Sequence, residues 1–187
     1  MKQTPHTRDP IEETLELWST TLPGMDMMPI GVILRIWQLS LAFAGDLQKI
    51  LRPFSVTPGE MDVLFCLLNG RPPYQQRPSD ISRGCYVTTG AITSRVDRLI
   101  KAGLVERLAS SADRREIFVR LTPAGKKIAD KIKREVAAAS VVADILDGMG
   151  PHDGTEFIRL LRTFCIEVQQ RQNGGSLGGA MPFGARL

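Results

Sequence analysis

The sequence is poor in the residues that build metal sites and disulfide frameworks. Its three cysteines, Cys66, Cys85 and Cys165, are odd in number, far apart and free of any C-x-x-C pair, so neither a structural disulfide set nor a zinc site is encoded. Its two histidines, His6 and His152, have no ligand-type neighbours. No Ser/His/Asp set, metal-ligand cluster or phosphate-binding loop emerges, which argues against an enzyme and points to no cofactor. An export signal is also missing, because Asp9, Glu12 and Glu13 stand where an apolar run would be needed. The longest apolar stretch, residues 29–45, falls short of the roughly 20 residues of a membrane span and contains Arg35 and Gln38. The expectation is a cytoplasmic protein with no membrane association, in which this stretch is a buried helix.

What is present is enough apolar material, 43% of 187 residues, for one sizeable core with a helical dimerisation element. The net charge of +4 is unevenly spread. Residues 71–134 carry 15 Lys/Arg against 6 Asp/Glu, a net +9, leaving 9 against 14, a net −5, for the remainder. A basic middle between acidic flanks points to a polyanion as the partner of the middle alone.

Start and stop signals divide the chain. Asp9-Pro10 with Glu12 reads as a capped helix start, and Ile11, Leu15 and Trp18 then recur at helical spacing up to Leu22-Pro23-Gly24. A second helix over 29–51 is apolar on more than one face, which calls for a partner chain or a second layer. Thr57-Pro58 with Glu60 opens a third, striped by Met61, Leu64, Phe65 and Leu68. A short helix from Pro78, a tight turn near Tyr86-Val87 and a longer helix over 88–102 follow, closed by Gly103. Residues 104–108 and 117–121 read as strands around a polar loop. Thr122-Pro123 caps a long helix that breaks at 148–151 before a last helix. The expected organisation is N-terminal helices over 1–56, a DNA-binding unit over 57–122, dimerisation helices over 123–172 and a Gly-rich tail over 173–187.

Short helix, turn, longer helix, strand, loop, strand is the order of a winged helix-turn-helix: a mainly α fold with a small β-hairpin wing. Ile92, Val96 and Leu99 form the inner stripe of the longer helix, so Gly90, Thr93, Ser94 and Asp97 face outward. Small polar residues there suit base edges and phosphates, and Thr88 and Thr89 at the helix start suit a phosphate.

The stretch VTTGAITSRVDRLIKAGLVERLASSADRREIFVRLTPAGKK, residues 87–127, closely resembles the MarR family of transcriptional regulators. The resemblance implies a homodimer, with first and last helices at its interface, that binds a pseudo-palindromic double-stranded operator and acts as a repressor. It implies DNA contacts from Thr88, Thr89, Gly90, Thr93, Ser94, Arg98 and Arg107 and from the wing tip. There Arg115 would enter the minor groove with Asp113 holding it, and Arg114, like Arg107, would touch phosphates. A plain Asp113–Arg115 pair across the hairpin is the alternative. Tyr86 departs from the family, which commonly has glycine at that turn.

The N-terminal residues Trp18, Leu22-Pro23-Gly24-Met25-Asp26 and Pro29-Ile30 resemble the urate-responsive, PecS-like branch. That resemblance implies a small anionic effector held by Trp18, Asp62 and Arg95, with Asn69 where an arginine is expected. Losing that arginine removes a bidentate anion clamp, which weakens the case for urate itself. The spacing adds that Asp62 and Asn69 share one helix face and that Arg95 turns inward, where an unpaired charge needs a partner or ligand. Ordinary packing of Trp18 and a structural Asp62–Arg95 ion pair remain open. So does a thiol-based redox switch, with Cys66 or Cys85 in place of a ligand. A winged-helix module without specific DNA binding is disfavoured by the basic middle.

Overall fold

The computed structural model describes residues 9–85, 87–109 and 116–173, in two compact units, Met1–Asp46 and Leu47–Leu187. The division falls inside the second helix.

In the first unit, α1 (Pro10–Thr21) starts at Asp9, whose carboxylate accepts a hydrogen bond from the Ile11 amide at 3.0 Å. Its other oxygen takes Arg35 of α2 (Met28–Leu51) at 2.7 Å. Glu12, expected to complete a capping box, lies instead 3.8 Å from the same guanidinium. Gly31 permits this crossing, since a Cβ there would come within 2.9 Å of both Leu15 and Arg35.

The expectation that α2 is buried fails within a single chain. Ile33, Trp37 and Leu41 lie on one line at four-residue spacing and are 60–65% exposed. Residues 28–54 contain an 18-residue window of mean hydropathy 1.4, enough by length and composition to cross a bilayer. A second copy of the chain is the other way to cover such a stripe, and α7 (Val141–Asn173) has one too, through Phe157, Leu160, Leu161 and Phe164. If a second copy provides the cover, Trp37→Glu with Leu41→Glu converts a dimer to a folded monomer. Sedimentation velocity with circular dichroism checks this, and an unchanged dimer would show that α2 lies outside the interface.

In the second unit, α3 (Pro58–Leu68) is the central helix. Its start carries the expected capping box, with Thr57 and Glu60 exchanging side-chain-to-backbone hydrogen bonds. It is buried on more than the expected stripe: Val63, Cys66 and Leu67 are buried along with Met61 and Leu64. Around it stand α4 (Pro78–Gly84), α5 (Thr89–Lys101) and α6 (Pro123–Ala139). Ile81, Ile92, Val96, Leu99, Ala129 and Ile132 complete the core from these helices.

A three-stranded antiparallel sheet in the order β1-β3-β2 closes one side. β2 (Val105–Ala109) and β3 (Ile117–Leu121) pair with Val105 opposite Leu121 and Ala109 opposite Ile117. β1, only Gln75–Gln76, was not anticipated. The C-terminal helices also differ from expectation. The helix begun at Pro123 stops at Ala139, where Ser140 turns extended. α7 then carries the expected break within 148–151, since Gly150 (φ 79°) leaves helical geometry and divides it into two helical stretches across a kink.

Gly125 explains the glycine of the Leu-Thr-x-x-Gly stretch. Thr122 caps α6 through the Gly125 amide at 3.0 Å and also donates its hydroxyl to the Gly103 carbonyl at 2.8 Å, which draws the helix start onto the β2 entry. A Cβ on Gly125 would lie 1.8 Å from the Leu104 carbonyl oxygen.

Candidate nucleic-acid interface

Ser82 ties the turn between α4 and α5 through both its backbone and its side chain. Ser82 accepts the Val87 amide on its backbone carbonyl at 3.2 Å and donates its hydroxyl to the Val87 carbonyl at 2.5 Å. Nothing in the sequence pattern singled Ser82 out. Thr88 then caps α5, accepting from the Ala91 amide at 3.3 Å.

With Ile92, Val96 and Leu99 buried, α5 presents Gly90, Thr93 and Ser94 to solvent, as the spacing predicted, and Thr89 and Arg98 beside them. Asp97, also expected outward, is half-buried, because it pairs with Arg107 of β2 at 2.9 Å. Arg107 is thus tied to the flank of α5 by an exposed ion pair, weak enough to yield to a phosphate. Arg98 is held from two sides: its Nε donates to Glu60 Oε1 at 2.5 Å and its Nη1 to Ser94 Oγ at 2.8 Å. The other Glu60 oxygen accepts the Thr57 amide at 2.8 Å. Glu60 is buried, and burial pushes its carboxyl pKa up. The hydrogen bonds from the Thr57 amide and from Arg98, with the Arg98 charge, outweigh this and hold it below the usual glutamate range.

The wing is anchored at its base. Glu106 and Arg120 are cross-strand neighbours joined at 2.9 Å. Arg77, the residue capping α4, pairs with Glu116 and stands over the Phe118 ring at 5.8 Å. Asp113, Arg114 and Arg115 lie outside the described residues, as does Tyr86.

Beneath α5, Arg95 turns inward, 21% exposed, with its Nη1 3.6 Å from Asp62 of α3. That distance makes an ion pair and not a hydrogen bond, and Nη1 is buried without a hydrogen-bond partner among the described residues. Gly59 makes the space, since a Cβ there would fall 2.6 Å from the guanidinium. Burial raises the Asp62 carboxyl pKa more than the Arg95 charge lowers it. Of the residues predicted to hold an effector, these two meet. Asn69 sits exposed at the C-cap of α3, two turns beyond Asp62. Trp18, 38% exposed on α1, belongs to the first unit.

Fold and surface together describe a winged-helix protein with an outward polar helix. The sequence model of the MarR family matches residues 56–117. Over 125 residues the chain is 28% identical to the HTH-type transcriptional regulator PecS of Dickeya dadantii, covering 67% of this chain and 75% of that one. Over 108 residues it is 31% identical to the HTH-type transcriptional regulator FarR of Neisseria gonorrhoeae, covering 57% and 68%. Its fold is that of a mutant MarR from Escherichia coli complexed with operator DNA, at TM-score 0.59 and 24% identity over 74% of this chain and 94% of that one. The chain belongs to the MarR family of DNA-binding transcriptional regulators.

Proposed function

We propose that this chain is a cytoplasmic, homodimeric repressor that α5 and the wing hold on a pseudo-palindromic operator, and that a small anion releases it. The observation that carries the reading is the two-sided character of α5. Its outer face offers Thr88, Thr89, Gly90, Thr93, Ser94 and Arg98, while on its inner face Arg95 makes a long contact to Asp62 and its buried Nη1 has no hydrogen-bond partner among the described residues. Arg107 at the wing base, and Asp113, Arg114 and Arg115 at its tip, supply the flanking contacts in this reading. In this reading the anion sits at Arg95 and Asp62, which meet within the second unit, with Asn69 on the same helix as Asp62.

An anion that takes Arg95 from Asp62 moves α5 relative to α3. A small shift in each half of a dimer spoils the match to two half-sites about 34 Å apart. Asp62 then loses its counter-charge while still partly buried, so its already raised pKa rises further and it takes up a proton. Anion affinity therefore increases as pH falls.

The test is binding to DNA from immediately upstream of its own gene, with and without urate and related purine or carboxylate anions. With roughly 6–10 phosphate contacts, affinity falls about 10³- to 10⁵-fold between 50 and 200 mM salt. One anion releases the wild-type protein, and Arg95→Ala raises the anion concentration required about tenfold or more. If no anion releases the wild type, the Asp62–Arg95 pair is structural and the gating reading falls.

A further inference from the structure

The wing is tied down on both of its faces, and one of the two ties takes no part in the operator reading. In the β2–β3 register Arg107 lies opposite Val119 and Leu108 opposite Phe118, so these two pairs sit on opposite faces of the ribbon. On the first face Arg107 reaches Asp97 of α5. On the second, Arg77 stands over the Phe118 ring and pairs with Glu116, two residues back along the chain. The pairing of β1 explains how Arg77 gets there. With Gln75 opposite Arg120 and Gln76 opposite Val119, the next residue is carried to the level of Phe118. One strand of the wing is thus fastened to α5 and the other to the start of α4.

If the fold alone mattered, a different residue would stand at position 77. This is the N-cap of α4, with extended backbone, where Ser, Thr, Asp or Asn would accept from the first amides of the helix. Asp9, Thr57, Thr88 and Thr122 do so for α1, α3, α5 and α6. Arg77 makes no cap hydrogen bond, and its side chain leaves the helix for the wing. A helix cap stabilises more than a partly exposed ion pair, so the contribution of Arg77 is position and not stability.

We propose that Arg77 is a positioning residue for DNA binding: through Phe118 and Glu116 it fixes the direction of the wing relative to α4 and α5. The clamp acts where the ribbon most needs it. β1 ends at Gln76, opposite Val119, so from Phe118 outward the described wing is two-stranded, and such a ribbon is marginal by itself. Glu116 is joined in sequence to Arg115, which the operator reading sends into the minor groove. Holding Glu116 therefore sets the reach from the groove that α5 enters to the one beside it. A guanidinium suits the task, because it can stand over a ring and donate to a carboxylate at the same time.

The role on DNA rests on the operator reading, but the clamp can be measured without DNA, and the full-length protein serves for both. Arg77→Thr, which supplies the missing cap, and Glu116→Gln, which removes the charge, are compared singly and together. In the free protein, amide exchange of residues 105–121 read by mass spectrometry speeds up several-fold in both variants, while the thermal transition of Arg77→Thr holds or rises. On DNA from upstream of the gene, each single variant loses about fivefold in affinity, and the double variant loses about the same fivefold instead of about 25-fold. The slope against salt is unchanged, and hydroxyl-radical protection fades at the outer ends of the site while its centre persists. Arg77→Lys, which keeps a cation over the ring, recovers part of the loss. Unchanged exchange in both variants overturns the clamp. Faster exchange with unaltered operator affinity overturns the positioning role. A salt slope lowered by about one charge in Arg77→Thr, with tighter binding by Glu116→Gln, makes Arg77 a phosphate contact and overturns that role as well. A wild type that binds no upstream DNA, with faster exchange in both variants, leaves the clamp standing and overturns the operator reading instead.

Discussion

Gly125→Ala is expected to destabilise the winged unit by about 3 kcal/mol, at the upper end of what overpacking a core contact costs. A chain of this size loses about 2–4 °C of Tm per kcal/mol, so the transition moves down by roughly 6–12 °C. The reason is local. The added methyl would sit 1.8 Å from the Leu104 carbonyl oxygen, and the obstacle is backbone, which has no rotamer to change. Relief requires α6 to lift from the β2 entry, at the expense of the Thr122 amide bond to Leu104 and the Thr122 hydroxyl bond to Gly103. Gly90→Ala is the control, because a Cβ there meets nothing within 4 Å. At Gly90 helix propensity favours alanine, so stability holds or rises by up to about 1 kcal/mol. Calorimetric scans of the two variants separate the cases. Equal transitions would mean that α6 is free to move off β2.

The elements that could be read from the sequence are those whose signals are short-range. Thr57-Pro58-Gly59-Glu60 encodes its own cap, and the inner stripe of α5 follows from spacing alone. β1 escaped notice because two residues carry no periodicity, and their pairing is supplied by β3, more than 40 positions away. The α6–α7 break escaped because Ser140 follows an alanine-rich stretch with no glycine or proline, whereas Gly148 to Pro151 marked the kink that Gly150 makes. A single positive φ at Gly150 lets Pro151 fit near the start of a resumed turn, where its missing N–H costs little. The exposure of α2 has a different origin: apolar patterning says that a face will be covered, but not whether the same chain covers it. The candidate site divides the same way. The inward turn of Arg95 was legible, because it depends on one helix. The Glu60–Arg98 contact was not, since it joins two elements and the pair has no spacing of its own. Asp113, Arg114 and Arg115 could be read only through resemblance, and they fall outside the described residues.

Replacing Glu60 by alanine is expected to weaken operator binding about tenfold while leaving binding to unrelated DNA unchanged or tighter. Glu60 has two tasks. One oxygen completes the α3 cap, so its loss also costs about 1–2 kcal/mol of stability. The other fixes the guanidinium of Arg98, which Ser94 steadies from the next turn, and leaves the remaining Arg98 donors in one orientation over the outer face of α5. A carboxylate beside a DNA-facing arginine lowers the attraction to phosphate, so its net benefit must lie in orientation and hence in specificity. Arg98→Ala supplies the contrast: it loses about 1–3 kcal/mol on the operator and reduces the salt slope by about one charge, whereas Glu60→Ala keeps the slope. Glu60→Gln keeps the cap but loses the charge-assisted bond, and falls between them. The pH dependence has a fixed sign. The carboxyl pKa is lowered in the folded state, so its stabilisation is fully present above the ordinary glutamate value and is lost as pH falls through the folded-state value. Operator specificity is therefore insensitive to this pair near neutrality and declines only in acid. Paired titrations of operator and scrambled DNA decide the matter: if Glu60→Ala weakens both equally, Glu60 is a cap residue alone, and Arg98 finds its place on DNA without it.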